Sequence, residues 1–237
     1  MIVQNKEVHE LKRAFKIVAI GACLGIALVF LQKFFQIDED VFMHWYWIAA
    51  PAVVIGAVLV NLSYNIFYQS KVRKAAKLLG EGKPQEYINR MEGLLKTAKG
   101  QNLRNVLTLN LTAGYVELKQ FDTAIRILEE LSSKRLIGST VKVVHRLNLF
   151  MSYFGTEQYE KAKELYDKNR KLFEQCRNSK IYGANVAILD ILVTIMNKQY
   201  EQAKEMLDMA CKQYDDSRFQ RTFYEISDIL ESKCQEP

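Results

Sequence analysis

The sequence predicts an all-α protein in two parts: two N-terminal transmembrane helices, then a helical-repeat solenoid with a C-terminal capping helix. Three observations carry this reading. Only 3 prolines and 11 glycines interrupt 237 residues, 49% of them hydrophobic, so long segments run without helix breakers. Two stretches near the N-terminus are apolar and almost uncharged. The hexapeptide KQYEQA at 198–203 recurs, altered, as EQYEKA at 157–162 and KQFDTA at 119–124.

The apolar stretches come first. Ile17 to Gln32 carries no charge, and with Lys33 treated as a snorkelling residue the stretch extends to Ile37. Val41 to Ser70 contains no Asp, Glu, Lys or Arg. A membrane-spanning helix needs roughly 20 apolar residues, so residues 1–68 are expected to form a hairpin with spans at about 15–36 and 45–67. His44, Trp45, Tyr46 and Trp47 open the second span as an interfacial aromatic belt does. Pro51 is expected in its first turns, where a missing N–H costs little. Gly21-x-x-x-Gly25 and Ala52-x-x-x-Gly56 offer small faces through which the two spans can pack closely. Ile20-Gly21-Ala22-Cys23 has the look of a lipidation box. Too few apolar residues separate Lys16 from Cys23, however, and the run continues past the cysteine.

The net charge of +6 is concentrated at the flanks of these spans. Lys6, Lys12, Arg13 and Lys16 precede the first, and Lys71, Arg73, Lys74, Lys77 and Lys83 follow the second. The connection carries Lys33 against Asp38, Glu39 and Asp40. Basic outer flanks place both termini in the cytoplasm of a multi-pass protein, with a bacterial plasma membrane as the expected location. The charge is then a topology signal aided by lipid headgroups, and a nucleic-acid partner is not expected. The 4 cysteines, Cys23, Cys176, Cys211 and Cys234, form no C-x-x-C pair and read as free thiols.

The hexapeptides organise residues 69–237. Each has an aromatic (Phe121, Tyr159, Tyr200) followed three residues later by alanine (Ala124, Ala162, Ala203). Six residues before each aromatic, an apolar helix ends at Tyr115, Tyr153 or Thr194. Each unit therefore reads as helix, polar turn, helix, with the alanine letting two helices approach to roughly 8–10 Å. This pattern resembles the tetratricopeptide repeat over about residues 101–214. Leu111, Thr112, Tyr115, Phe121 and Ala124 match that motif. Leu149, Tyr153, Tyr159 and Ala162 match as well, with Phe150 at the small position. The third unit keeps Tyr200 and Ala203, with Asp190, Ile191 and Thr194 at the earlier positions. The aromatics are 38 and 41 residues apart, longer than the family's period of about 34.

Units are expected at about 71–97, 101–133, 139–175 and 181–214. In the first, Lys71–Leu79 and Pro84–Thr97 are read as a helix pair split by Gly80 and Gly82. A helix at 216–234, with Phe219, Phe223, Ile226 and Leu230 on one face, covers the last unit. Ile181 to Asn197 is apolar except for Asp190. Its phase with the next hexapeptide makes it a buried repeat helix, and the competing reading is a third span.

Chemistry is sparse. His9, His44 and His145 lie in unrelated regions, and no phosphate-loop, dinucleotide or metalloprotease motif is present. Glu129-Glu130 and Asp215-Asp216 read as solvated surface. No catalysis, metal, cofactor or small-molecule substrate is expected. The resemblance implies a concave surface for a protein or peptide partner, including Val106, Asn110, Ala113, Val144, Asn148, Met151, Asn185 and Leu189. Relatives use an asparagine at the position of Asn110 and Asn148 to hold a peptide carboxylate, but the accompanying lysines and arginines are absent here. Two roles stay open for that pair: ligand contact, or satisfying polar groups inside the stack. Asp190 is open in the same way. The expected function is a membrane-anchored protein–protein scaffold; its alternative is a structural subunit of an integral-membrane transport or secretion complex, bound through the hairpin.

Overall fold

The computed structural model describes residues 25, 26, 28–30, 32–131, 136, 138–214 and 217–234, and among these the regular structure is all helix, with no strand. Nine helices follow in chain order among them. They are α1 (Glu39–Gly80), α2 (Pro84–Thr97), α3 (Gln101–Glu117), α4 (Phe121–Glu130), α5 (Ser139–Gly155), α6 (Tyr159–Cys176), α7 (Gly183–Met196), α8 (Tyr200–Gln213) and α9 (Ser217–Cys234). Further helical residues lie within 25–34. The chain divides into two compact units, Met1–Tyr64 and Asn65–Pro237.

In the first unit, α1 starts where Asp38 caps it: the Asp40 amide donates to Asp38 Oδ1 at 2.9 Å and the Phe42 amide to Asp38 O at 2.9 Å. Glu39 and Asp40 in the first turn suit the positive end of the helix dipole. The helix is long and apolar enough to cross a membrane, and none of its most apolar 18-residue window is buried. Trp45, Trp47, Val53 and Val60 are all exposed.

Two expectations about this region change. α1 runs for 42 residues without a break, so Lys71–Leu79 is the end of the same helix and not a separate repeat helix. The uncharged run and the basic run after it share a helix-compatible composition, and nothing at 68–70 interrupts it. Pro51 consequently sits about three turns inside, where the Trp47 carbonyl lacks its usual donor. Gly21 and residues 15–24 of the first span, which carry the expected close packing of the two glycine faces, lie outside the described residues.

In the second unit each helix from α2 to α9 packs on the next, and α3, α5, α7 and α9 also pack on one another in turn. One continuous core joins α3 to α9, including Leu128, Phe150, Phe173, Val186, Leu192 and Phe223. Ala124, Ala162 and Ala203 are each 0% exposed, leaving no room for a larger side chain. Phe150 fits at its small-residue position because its ring joins Tyr166 (6.4 Å), which stacks on Phe173 (5.7 Å). Helix α7 is buried on nearly every side. Its 14 residues span about 21 Å, short of the roughly 30 Å of a bilayer core. Phe223, Ile226 and Leu230 of α9 are buried.

The hexapeptide is the turn. Lys119, Glu157 and Lys198 have φ of 58°, 58° and 62°, the left-handed conformation that ends a helix in the Schellman manner. Lys119 N–H donates to Val116 O (2.9 Å) and Gln120 N–H to Tyr115 O (2.9 Å). Glu157 and Gln158 donate to Phe154 O (3.0 Å) and Tyr153 O (2.9 Å), and Lys198 and Gln199 to Ile195 O (2.8 Å) and Thr194 O (3.1 Å). The next residue is the first of the following helix. Gly82 (φ 70°) and Lys83 repeat the motif, with bonds to Leu79 O and Leu78 O before Pro84. The fourth copy was hidden because it reads GKP.

The aromatic that opens each second helix packs at the turn. The Phe121 ring lies where a Cβ on Gly155 would stand, 2.3 Å away. Tyr159 instead meets Phe154 at 5.5 Å between ring centroids and is partly exposed.

Candidate interaction surface

The residues expected to face a partner sit on α3 (Asn110, Ala113), α5 (Asn148, Met151) and α7 (Asn185, Leu189). Asn110, Ala113, Asn148, Met151 and Asn185 are half-buried. Leu189 is 1% exposed and belongs to the core, so it cannot touch a ligand. Its helix is apolar on every face, and sequence phase alone does not say which face its neighbours cover.

The two asparagines are engaged inside the stack. Asn110 Nδ2 donates to Val106 O one turn back (2.8 Å), and the Asn110 carbonyl accepts the Tyr87 hydroxyl (2.7 Å). Asn148 Nδ2 donates to Thr112 Oγ1 across the α3–α5 interface (3.1 Å), while Thr112 donates to Leu109 O (2.7 Å). Of the two roles left open, the polar-satisfaction role is the one these bonds perform. Asn148 is a cross-link between successive units.

Asp190 is likewise a network member. Tyr166 donates its hydroxyl to Asp190 Oδ1 (2.6 Å), and Arg177 Nη1 donates to Asp190 Oδ2. Arg177 Nε also reaches Glu174 Oε2 at 2.8 Å. Burial, then the bond to Asp190, pushes the Tyr166 phenol up to about 12. The Glu174 bond comes first among the causes that hold Arg177 more firmly protonated, and Arg177 in turn holds Glu174 below the usual carboxylate range. Both Asp190 oxygens are occupied, so the group is a tie between α6 and α7. Tyr153 forms a parallel tie, donating to Glu129 Oε1 at 2.8 Å, and burial is the main reason its phenol is raised to about 12. Glu129 is thus more than solvated surface, while Glu130 pairs with Arg126 at 3.9 Å. Asp215-Asp216 lies outside the described residues. The role of Arg177 was missed because Asp190 lies on the next helix; the isolated acid in an apolar run was the available signal.

His145 is buried with Nε2 2.8 Å from Leu128 O. Donation from Nε2 satisfies a carbonyl near the end of α4 and leaves Nδ1 without a partner. Burial, the largest influence, holds this imidazole below its usual pKa.

A cavity of about 140 Å³ is lined by Asn65, Gln69, Asn102, Leu103, Asn105, Val106 and Leu136, below the roughly 300–1,000 Å³ of ligand pockets. A broader concavity of about 600 Å³ is lined by Asp167, Lys168, Arg170, Lys171, Glu174 and Gln175, which all belong to α6 and make an open surface. Among the described residues no three His, Cys, Asp or Glu side chains group as a metal site.

One contact is long in sequence and short in space. Lys119 Nζ, in the first hexapeptide, lies 3.2 Å from Glu225 Oε1 of α9, and Arg221 Nε lies 3.5 Å from the same oxygen. Glu117 is close enough to feel both: packing raises its carboxyl pKa, Arg221 lowers it and Glu225 raises it. The C-terminal helix therefore reaches back to the first hexapeptide turn. No protein-family model, curated protein or solved structure matches this chain, so the fold and surface stand on their own geometry.

Proposed function

We propose that this protein is a membrane-anchored scaffold without catalysis, in which a tetratricopeptide-like solenoid on the cytoplasmic side recruits a protein or peptide partner. In this reading the apolar composition of residues 15–36 makes them a second span, which gives a multi-pass chain with both termini cytoplasmic. The observation that carries the reading is the combination in one chain of an uncovered apolar helix and serially packed helical hairpins closed by the same turn. Serial stacks present extended surfaces from successive first helices, and half-buried Val106, Ala113, Val144 and Met151 are the positions for a partner to contact.

The engagement of Asn148, the burial of Leu189 and the return of α9 to the first turn favour a second reading. In it the solenoid is structural and the hairpin is the binding surface within an integral-membrane assembly. Co-purification from detergent-solubilised native membranes separates the two. The baits are the full chain, residues 65–237 alone, and the full chain carrying Ala113→Arg. A partner held by the first two and lost from a folded third supports the scaffold. A partner held only when residues 1–64 are present rules the scaffold out in favour of the structural subunit.

A further inference from the structure

The cations that follow the apolar part of α1 have a geometry that a topology signal does not require. Lys71, Arg73, Lys74 and Lys77 continue the same helix past Phe67 and are all exposed. Arg73, Lys74 and Lys77 lie on the side opposite Tyr68 and Ala75, which are buried in the second unit. Among the described residues none of the four is in an ion pair, whereas Lys83, the next cation, is taken by Glu81 at 3.0 Å. No acid occurs from residue 41 to residue 80. Lys71 folds its ammonium over the Phe67 ring, 4.3 Å from the centroid, placing its charge at the end of the apolar stretch. At about 1.5 Å per residue the four charges fall within roughly 15 Å of Phe67, comparable to the reach of a charged membrane surface.

We propose that Lys71, Arg73, Lys74 and Lys77 form a binding surface for anionic phospholipid headgroups, selecting the lipid that surrounds α1. The inference rests on α1 crossing a bilayer. The occupant is a lipid surface because the charges continue directly from an uncovered apolar helix, which brings headgroup phosphates to them without a pocket. Each cation near an anionic surface favours it several-fold, so the set discriminates between lipids.

The test uses the full chain reconstituted in vesicles of equal parts phosphatidylcholine and phosphatidylglycerol, then extracted in detergent and weighed with its retained lipid by native mass spectrometry. Wild type is expected to retain phosphatidylglycerol over phosphatidylcholine by about tenfold. K71Q/R73Q/K74Q/K77Q is expected to lose the preference. R170Q/K171Q/K204Q/K212Q, which removes the same charge from exposed positions elsewhere, is expected to keep it. Equal ratios in all three proteins overturn the proposal. So does displacement of the retained lipid by excess inorganic phosphate, which would mark a free-phosphate site. Removal of wild type from vesicles by alkaline carbonate overturns the membrane reading itself, and this proposal with it; retention with equal ratios overturns this proposal alone.

Discussion

Lys119, Glu157 and Lys198 hold a backbone conformation that costs a residue with a Cβ about 1–2 kcal/mol. Glycine holds it freely, as Gly82 does in the fourth copy. Glu157→Gly and Lys198→Gly are therefore expected to raise stability by about 0.5–1 kcal/mol each, after the added freedom of glycine in the unfolded chain. Chemical denaturation in detergent measures this. Lys119→Gly is expected to gain less because it also loses Glu225. The second residue-scale prediction concerns His145, whose folded pKa lies below its ordinary 6.5. The unfolded chain then binds the proton more readily, so His145 contributes its full stabilisation above about pH 6.5. That contribution falls as pH drops from 6.5 through the lower folded value. His145→Gln, which keeps a donor for Leu128 O without a titrating ring, is expected to flatten this part of the stability–pH curve.

At the scale of elements, α1 and α7 are both apolar and end differently. Helix α1 continues for 42 residues and its most apolar 18-residue window is uncovered, whereas α7 stops after 14 and is enclosed by α5, α6, α8 and α9. Length and phase with the hexapeptide separated the two in the sequence. The continuity of α1 into the basic segment was not legible, because a change from apolar to charged residues does not end a helix. Helix contact in the second unit depends on the three buried alanines. Ala162→Leu is expected to lower stability by about 1–3 kcal/mol through overpacking, read as a fall in thermal midpoint. Asp190→Ala is expected to cost about 1–3 kcal/mol, since Tyr166 loses its acceptor while the half-exposed Arg177 keeps Glu174. Tyr166→Phe, which removes one bond, is expected to cost about 1–2 kcal/mol.

For the whole molecule, stability is a sum over neighbouring helices, and the last helix covers the open end of the sum. Deleting residues 217–237 uncovers the surface that holds Phe223, Ile226 and Leu230. The shortened chain is expected to melt earlier and to aggregate on heating, as scattering during a thermal ramp will show. The Lys119–Glu225 contact contributes little of this because both partners are largely exposed, 60% and 42%. Glu225→Gln is expected to change stability by less than about 1 kcal/mol. A loss of several kcal/mol would mean that this contact, and not the apolar face, holds α9 in place.

The sequence by itself determined the helical class, the helix pairs from residue 101 onward, the last amphipathic helix and the buried alanines. Each of these is local or periodic, and periodicity survives in one dimension. The turn was found three times through its letters. Only the structure revealed the fourth copy, since the left-handed residue is a backbone state that lysine, glutamate and glycine all adopt. Tertiary structure also decided which of the polar positions are engaged inside the stack. Asn148 meets Thr112, Asp190 meets Tyr166 and Arg177, and Leu189 turns into the core. Those outcomes depend on which side chain the neighbouring helix brings opposite, a distance of 24 to 36 residues along the chain for the Tyr166–Asp190 and Thr112–Asn148 pairs, and no local pattern encodes that meeting.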